Sequence, residues 1–119
     1  MISFLLVGLG GAAGSMFRYG MQRWLNAAFP IGTLVVNLLG CLLIGMIWAL
    51  TIKNNLSSNY RLLLMTGFCG GFTTFSAFTT ESILLLENGR FLYFTIYFFC
   101  STVLGLLATF AGYKLMNNF

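Results

Sequence analysis

The stretch from residue 67 to residue 81 carries the residue types and spacings most suited to handling an ion. It reads GFCGGFTTFSAFTTE and lies in an apolar segment, about residues 62–86, that is long enough to cross a bilayer. Paired glycines, a run of hydroxyls and phenylalanines three residues apart stand where a simple membrane anchor would have leucines. The pattern predicts a functional centre at membrane depth.

The glycine pair Gly70 and Gly71 predicts that the third helix is broken at its centre. Glycine has no side-chain barrier to leaving helical geometry and destabilises a helix interior. Non-helical backbone at membrane depth is tolerated only where protein covers it or water reaches it. Because carbonyls freed at such a break can bind a cation, we expect a cation site there. Phe75 and Phe78 share a face if the helix resumes.

The composition predicts an all-α integral membrane protein. The 119 residues are 59% hydrophobic and only 7% charged, whereas a soluble domain carries about a quarter charged residues. We expect a single four-span domain in the lipid bilayer, with transmembrane helices at about residues 2–25, 31–52, 62–86 and 91–113. The six cations are scattered, which argues against a nucleic-acid partner.

The balance of charge selects no orientation for these spans. Four spans would place Lys53, Arg61 and Lys114 on one side of the membrane and Arg18, Arg23 and Arg90 on the other. The positive-inside rule then favours neither of the two orientations. Either another signal orients the chain, or copies insert both ways and pair antiparallel. Balanced charge in so small a chain favours dual topology.

Polar side chains recur at helical spacing in the second and fourth spans. Thr33 and Asn37 are four residues apart, and Tyr97 and Ser101 repeat that spacing. Such side chains hydrogen-bond to a neighbouring helix or line a pathway, and both alternatives stay open. Small residues typical of helix packing continue the fourth-span stripe at Gly105, Ala108 and Gly112.

The charged candidates are Arg18 and Glu81. Arg18 either extends to the headgroups or faces a vestibule, where it would concentrate an anion. Glu81 lies deeper in its span than Glu87 and either serves a pathway or pairs with an arginine. The sequence offers no paired carboxylates, no Ser/His/Asp set and no phosphate loop, so it does not indicate an enzyme.

Two further groups of residues are interpreted as packing elements. Gly10 and Gly14 form a GxxxG motif, which lets helix backbones approach closely in lipid. Cys41, Cys69 and Cys100 each lie inside a predicted span, where free cysteine behaves as a small apolar residue.

The polar and aromatic residues together suit the passage of a small anion. Hydroxyls and amides donate hydrogen bonds, and the electropositive edge of a phenylalanine ring attracts an anion. Weak neutral donors would replace a hydration shell without holding the ion too firmly. The candidate donors are Thr33, Asn37, Ser76, Tyr97 and Ser101. The alternative for Phe75 and Phe78 is ordinary core packing.

Three motifs resemble the fluoride ion channel family (Fluc, also called CrcB). GGFTTFSAF at residues 70–78, preceded by GFC and followed by Glu81, resembles the family's highly specific third-span signature. GSMFR at residues 14–18 and GTLVVNLLG at residues 32–40 resemble two further family motifs in the expected order. The resemblance covers essentially the whole chain.

This resemblance implies a passive, selective channel that exports cytoplasmic fluoride through the inner membrane of a bacterium. The family forms an antiparallel, dual-topology homodimer with two pores and a central structural sodium ion (Na+). Residues implied in the ion pathway are Asn37, Phe75, Phe78, Thr33, Tyr97 and Ser101, with Arg18 in the vestibule, Glu81 as the acid after the motif, and backbone carbonyls of Gly70 and Thr73 around the sodium. One departure is Gly105, where the family can carry a second serine, so the hydroxyl track is shorter here.

Two other functions were compared with this one. A proton-coupled small multidrug transporter also has four short spans, but it resembles a pattern with a glutamate in the first span, and no acid precedes Glu81 here. A membrane assembly subunit without transport activity would explain the glycine packing. It would not explain hydroxyls and phenylalanines at pore-like spacing.

Overall fold

The structure is a computed structural model that describes residues 1–53 and 55–118. In this part of the chain, four helical segments are long and apolar enough to cross a membrane, as the hydropathy pattern predicts. The first two, α1 (Ile2–Leu25) and α2 (Ile31–Ile52), have the predicted bounds. The third and fourth, Ser58–Glu87 and Phe91–Asn117, extend past the predicted apolar stretches at one or both ends.

The third segment changes its backbone geometry along its length. It begins with the α-helical turn Ser58–Arg61, widens into a π-helix over Leu62–Cys69 and returns to α-helix over Gly70–Phe72; together these form α3. Thr73 (φ −82°, ψ 154°) and Thr74 (φ −148°, ψ 120°) are extended. The next helix, α4, runs over Phe75–Glu87. The extended pair therefore lies midway along the third segment.

Gly70 and Gly71 are not the residues that leave helical geometry, although we expected that they would be. Gly70 is helical, with φ −61° and ψ −39°. Gly71 lies against Gly11 of α1, and a Cβ atom at Gly71 would stand 2.5 Å from the carbonyl oxygen of Gly11. The absence of a side chain at Gly71 thus serves the close approach of two helices.

Helix α1 packs along α3 through its glycines. A Cβ atom at Gly14 would collide with the carbonyl oxygen of Phe68, and one at Gly10 would collide with that of Leu63. Apolar side chains in a bilayer gain little by leaving the lipid, so such close packing is a main source of helix association. The prediction that the GxxxG motif packs helices is confirmed.

Helix α2 packs in the same way along the second half of the fourth segment. This segment, α5, consists of α-helical Phe91–Phe99, π-helical Cys100–Leu104 and α-helical Gly105–Asn117. A Cβ atom at Gly112 would collide with the carbonyl oxygen of Leu42. The small residues of the fourth span therefore face α2.

The outer surface of the bundle is largely apolar, with Phe4 and Trp24 more than four-fifths exposed. A surface of this kind is suited to lipid and not to water. The buried core joins α4 to α5 through Phe78, Leu85 and Tyr97. The longest dimension, 48 Å, exceeds the thickness of a hydrocarbon core of about 30 Å. The chain is a multi-pass membrane protein.

Candidate functional site

The side chain of Asn37 satisfies the backbone of the extended pair. Its Oδ1 accepts a hydrogen bond from the amide of Thr74 at 2.8 Å, and its Nδ2 donates to the carbonyl of the same residue at 3.0 Å. The Thr74 hydroxyl accepts from the amide of Ala77 at 3.1 Å and caps α4. Non-helical backbone at membrane depth is thus stabilised by side chains of the protein.

Two backbone carbonyls beside the extended pair lose their usual donors. In a continuous helix, the Gly70 carbonyl would accept from the amide of Thr74, and the Thr73 carbonyl would accept from the amide of Ala77. Those amides donate instead to the side chains of Asn37 and Thr74. Gly70 is also exposed. Among residues 1–53 and 55–118, the carbonyls of Gly70 and Thr73 are therefore without their helical donors where α3 ends, and the helix dipole is negative there.

Arg18 of α1 contacts the same region. Its Nε donates to the carbonyl of Gly71 at 3.0 Å, so a cation lies at the C-terminal end of α3. This contact lies near the middle of the third segment and not at the headgroups. Of the two alternatives for Arg18, the position in a vestibule is the one that this geometry favours.

An open cavity of about 540 Å³, here called the vestibule, lies between α1 and α4. Its lining includes Arg18, Gln22, Asn26, Thr74, Ser76 and Glu81. Ser76 lies here and not deeper, with its Oγ 3.2 Å from the Thr74 hydroxyl. The lining thus combines the cationic side chains of Arg18 and Arg23 with neutral polar groups and one carboxylate.

Glu81 is held by donors from three other elements. Its Oε2 accepts from the Thr33 hydroxyl at 2.9 Å and from Nδ2 of Asn26 at 3.0 Å, and its Oε1 accepts from the Tyr97 hydroxyl at 2.9 Å. Nε2 of Gln22 donates to the Thr33 hydroxyl at 3.0 Å. Thr33 and Tyr97 are fully buried. Thr33 and Tyr97 therefore bond to the acid from the protein interior, while Glu81 itself also lines the vestibule.

A second cavity, of about 260 Å³ and here called the central cavity, lies beside the extended pair. Its lining includes Asn37, Cys41, Phe75, Phe78, Ser101 and Thr102. Thr74 lines both this cavity and the vestibule. The Oγ atom of Ser101 is buried and has no hydrogen-bond partner among the residues that the structure describes. The atom is enclosed by neighbouring protein atoms and does not face the open space in this conformation.

The two phenylalanines of α4 share a face, as their spacing predicts, with ring centroids 5.8 Å apart. Phe78 is 8% exposed and packs 5.1 Å from the ring of Tyr97. Phe75 is 76% exposed. Core packing within the chain accounts for Phe78 but not for Phe75.

The structure thus divides the predicted site residues into four groups. Asn37, Phe75, Phe78 and Ser101 meet at the central cavity, while Arg18, Ser76 and Glu81 line the vestibule. Thr33 and Tyr97 bond to Glu81, and the carbonyls of Gly70 and Thr73 have lost their helical donors to side chains.

Sequence reasoning missed several residues at these sites. Gln22 and Asn26 lie at and just beyond the end of α1, and Thr102 follows Ser101 within the π-helical turn. Cys41 lines the central cavity one helical turn beyond Asn37, a spacing that could have indicated it. No comparable signal in the sequence points to Gln22 or Asn26.

These features define a small multi-pass membrane protein with a cavity, lined by aromatic and polar side chains, beside an extended backbone midway along its third span. Comparison with known proteins makes the assignment specific. The family model described as "CrcB-like protein, Camphor Resistance (CrcB)" matches residues 5–113, and the chain belongs to this family.

Individual relatives match over nearly their whole length. A Rhizobium etli protein named fluoride-specific ion channel FluC is 49% identical, and the match covers 98% of each chain. Proteins of the same name come from Thermus thermophilus, 47% identical over 94% of this chain and 91% of the relative, and from Phocaeicola vulgatus, 45% identical over 94% and 96%. These names describe a channel and not an enzyme, as the sequence predicts.

Proposed function

We propose that this chain is a passive, selective fluoride channel that exports cytoplasmic fluoride across the inner membrane of a bacterium. The observation that carries the proposal is the central cavity, which Asn37 and the exposed ring of Phe75 line beside the extended pair. The names of the relatives support fluoride as the ion. Fluoride that enters a cell as neutral HF dissociates near neutral pH and would leave through this path.

The chemistry of the central cavity suits a small, strongly hydrated anion. Nδ2 of Asn37 has a second N–H beyond the one bonded to Thr74, and the Ser101 hydroxyl, which has no partner in the described part of the chain, would donate after turning toward the ion. The edges of the Phe75 and Phe78 rings add weak positive potential. These donors replace part of a hydration shell, and none of them is a cationic side chain that would trap the ion.

Access to the central cavity is through the vestibule, where Arg18 and Arg23 raise the local anion concentration. An anion then passes Thr74, which lines both cavities. The hydroxyl protons of Thr33 and Tyr97 are directed at Glu81 in this conformation. Thr33 and Tyr97 therefore act on the pathway indirectly, by holding Glu81 in place. Either hydroxyl would donate to fluoride only after its hydrogen bond to Glu81 breaks.

A second copy of the chain completes the pathway in this proposal. The ring of Phe75 and the backbone of Gly70 are both exposed on the surface of a single chain. An antiparallel, dual-topology homodimer, which the balanced charges favour, would enclose these groups. Two-fold symmetry would then give two equivalent pathways.

The open carbonyls of Gly70 and Thr73 fit a structural sodium ion between the two copies. Both carbonyls have lost their helical donors, and unwound backbone carbonyls bind sodium in membrane transporters. One pair from each copy would surround the ion, which would offset the negative ends of two α3 dipoles. Replacing sodium by N-methylglucamine during purification should then shift dimers toward monomers on size-exclusion chromatography. An unchanged dimer fraction in sodium-free buffer would contradict this site.

Substitution of Phe75 tests the proposed pathway. Phe75→Ala should slow fluoride efflux from liposomes by about tenfold or more, the effect of roughly 1.4 kcal/mol on the barrier, because it removes a ring edge from the path. The protein should still fold, since the ring is 76% exposed. Phe91→Ala, which removes a ring that is 64% exposed at the start of α5, is the matched control and should conduct normally. Equal efflux from both variants would contradict a role for Phe75.

A further inference from the structure

A third cavity, here called the end cavity, opens where the loop after α1 meets the C-terminal end of α4 and the start of α5. Its volume is about 350 Å³, within the range of small-molecule sites. The lining includes Asn26, Ala27, Pro30, Glu81, Asn88 and Arg90. Asn88, Pro30 and Arg90 belong to this cavity and have no place in the proposed ion pathway.

The end cavity contains side chains of both charges. Glu81 of α4 contributes a carboxylate, and Arg90, which immediately precedes α5, contributes a guanidinium. The side-chain amides of Asn26 and Asn88 lie in the same lining. Complementary charge is the main source of specificity at polar sites. A cavity of this composition favours a zwitterion over a simple anion or a simple cation.

The carboxylate of Glu81 has room for one more hydrogen-bond donor. Among residues 1–53 and 55–118, its Oε2 accepts from Thr33 and Asn26, whereas its Oε1 accepts from Tyr97 alone. A carboxylate has about four acceptor positions, so one on Oε1 stays unused. The three donors are neutral and do not balance the negative charge. A primary ammonium would supply both the donor and the positive charge.

Arg90 is placed by an aromatic ring and keeps its donors for a ligand. The central carbon of its guanidinium lies 5.5 Å from the centroid of the Tyr93 ring. A contact of this kind uses the face of the ring and none of the N–H groups of the guanidinium. Those groups match a phosphate, which a guanidinium binds through two parallel hydrogen bonds. Arg90 is exposed, so a phosphate can approach it from the surface.

The position of the end cavity indicates that its ligand is a lipid. Because α4 ends at Glu87 and α5 begins at Phe91, the loop between them lies at the end of two membrane spans, where headgroups are found. Leu84 in the lining and Phe91 beside Arg90 are both more than half exposed. Exposed apolar side chains in this position suit contact with acyl chains.

We propose that the end cavity binds the headgroup of phosphatidylethanolamine, with the phosphate at Arg90 and the primary ammonium at Glu81. Phosphatidylcholine carries the same phosphate, but its methylated nitrogen has no N–H for Glu81. Phosphatidylglycerol carries the phosphate and no amine. The two side chains together therefore select one lipid of the three. This inference goes beyond the proposed function and does not depend on fluoride conduction.

Titration of the purified full-length protein with dioleoyl forms of these three lipids, followed by native mass spectrometry, tests the inference. The wild type should bind phosphatidylethanolamine about tenfold more tightly than either of the other two, the effect of one hydrogen bond between charged groups. Equal affinity of the wild type for phosphatidylethanolamine and phosphatidylcholine would overturn the inference. This comparison needs no variant and so holds even if a variant fails to fold.

Three variants assign the two halves of the headgroup. Arg90→Gln should weaken binding of phosphatidylethanolamine by about tenfold, because it removes the charge that meets the phosphate. The matched control is Arg61→Gln, which removes an exposed cation at the other end of the bundle and should bind the lipid normally. Glu81→Gln should abolish the preference over phosphatidylcholine. Equal losses in the two arginine variants, or a preference retained in Glu81→Gln, would overturn the inference.

The free headgroup distinguishes a lipid from a soluble zwitterion. O-phosphoethanolamine has the same phosphate and ammonium without acyl chains, so at equal concentration it should leave bound phosphatidylethanolamine in place. Displacement of the lipid would overturn its assignment as the occupant. Because lipid binding is measured without ion transport, a protein that conducts no fluoride would contradict the proposed function and leave this result unchanged.

Discussion

Glu81 links α4 to three other parts of the chain through its two carboxylate oxygens. Removal of a carboxylate from water is costly unless hydrogen bonds replace the lost hydration. Three neutral donors, from Thr33, Asn26 and Tyr97, approach it at 2.9–3.0 Å. Hydrogen bonds to a charged group are stronger than those between neutral groups. Glu81 therefore contributes to the stability of the bundle as well as lining the vestibule.

Tyr97→Phe tests this contribution at the level of one hydroxyl. The variant keeps the ring that packs against Phe78 and loses the donor to Oε1 of Glu81. The expected loss is about 1.5–3 kcal/mol of folding free energy, measured as a lower midpoint of thermal unfolding in detergent. The control is Tyr113→Phe, which removes a hydroxyl from the same segment while its ring still packs on Trp48. Equal midpoints for the two variants would show that the Tyr97 bond adds little.

Among the helices, α1 pairs closely with α3 through only some of the glycines of α1. Gly14 faces the backbone of Phe68, so a methyl group there meets atoms that cannot rotate away. Gly8, two turns earlier in α1, has nothing within 4 Å of the position that a Cβ atom would take. One helix therefore contains both a packing glycine and a matched, unconstrained one.

Alanine at these two positions should have opposite effects. Gly14→Ala should destabilise the protein by about 1–3 kcal/mol, because it forces two backbones apart. Gly8→Ala should be neutral or stabilise it by up to about 1 kcal/mol, because alanine is the better helix former. Unfolding midpoints in the same detergent measure both effects. A Gly14→Ala protein as stable as Gly8→Ala would contradict the packing described for α1 and α3.

The helices themselves could be predicted because the bilayer sets their length and apolar character. Residues 2–25 and 31–52 match α1 and α2. The third segment starts earlier than predicted because Ser57, which lies outside the apolar stretch, accepts a hydrogen bond from the amide of Tyr60 and caps the helix.

The local geometry of the site was harder to predict than the spans. The low helix propensity of glycine pointed to Gly70 and Gly71, but the backbone is extended where Asn37 and Thr74 can satisfy its hydrogen bonds. The contact of Asn26 with Glu81 depends on which faces of α1 and α4 meet. Hydropathy and spacing within one helix carry no information about that contact.

For the whole molecule, the structure places the helix ends as the cation count assumes, except that Arg18 contacts Gly71 midway along the third segment. Nζ of Lys53 donates to the carbonyl of Met116 at 3.0 Å, so the C-terminal ends of α2 and α5 lie together. Asn26 and Arg90 line one cavity, so the end of α1 and the start of α5 lie together at the other end. Lys53, Arg61 and Lys114 then face Arg23 and Arg90 across the bundle, a difference of one cation that orients the chain only weakly.

The proposed antiparallel pairing can be tested by adding charge to one end. Asn55→Lys/Asn59→Lys and Ala27→Lys/Ala28→Lys place two exposed lysines at opposite ends and should orient the chain in opposite ways. Each variant alone should give little fluoride efflux from cells, and co-expression of the two should restore it. Normal efflux from either variant alone would contradict antiparallel pairing.

Fluoride and chloride efflux from liposomes that contain the purified wild-type protein and sodium is the most direct test of the proposed function. The central cavity holds neutral donors for a small anion, so we expect rapid fluoride loss, negligible chloride loss and no need for a proton gradient. Retention of fluoride by vesicles that contain well-folded protein would contradict the channel. The chain would then share only its fold with the relatives named as fluoride channels, and an assembly subunit without transport activity would be the better account.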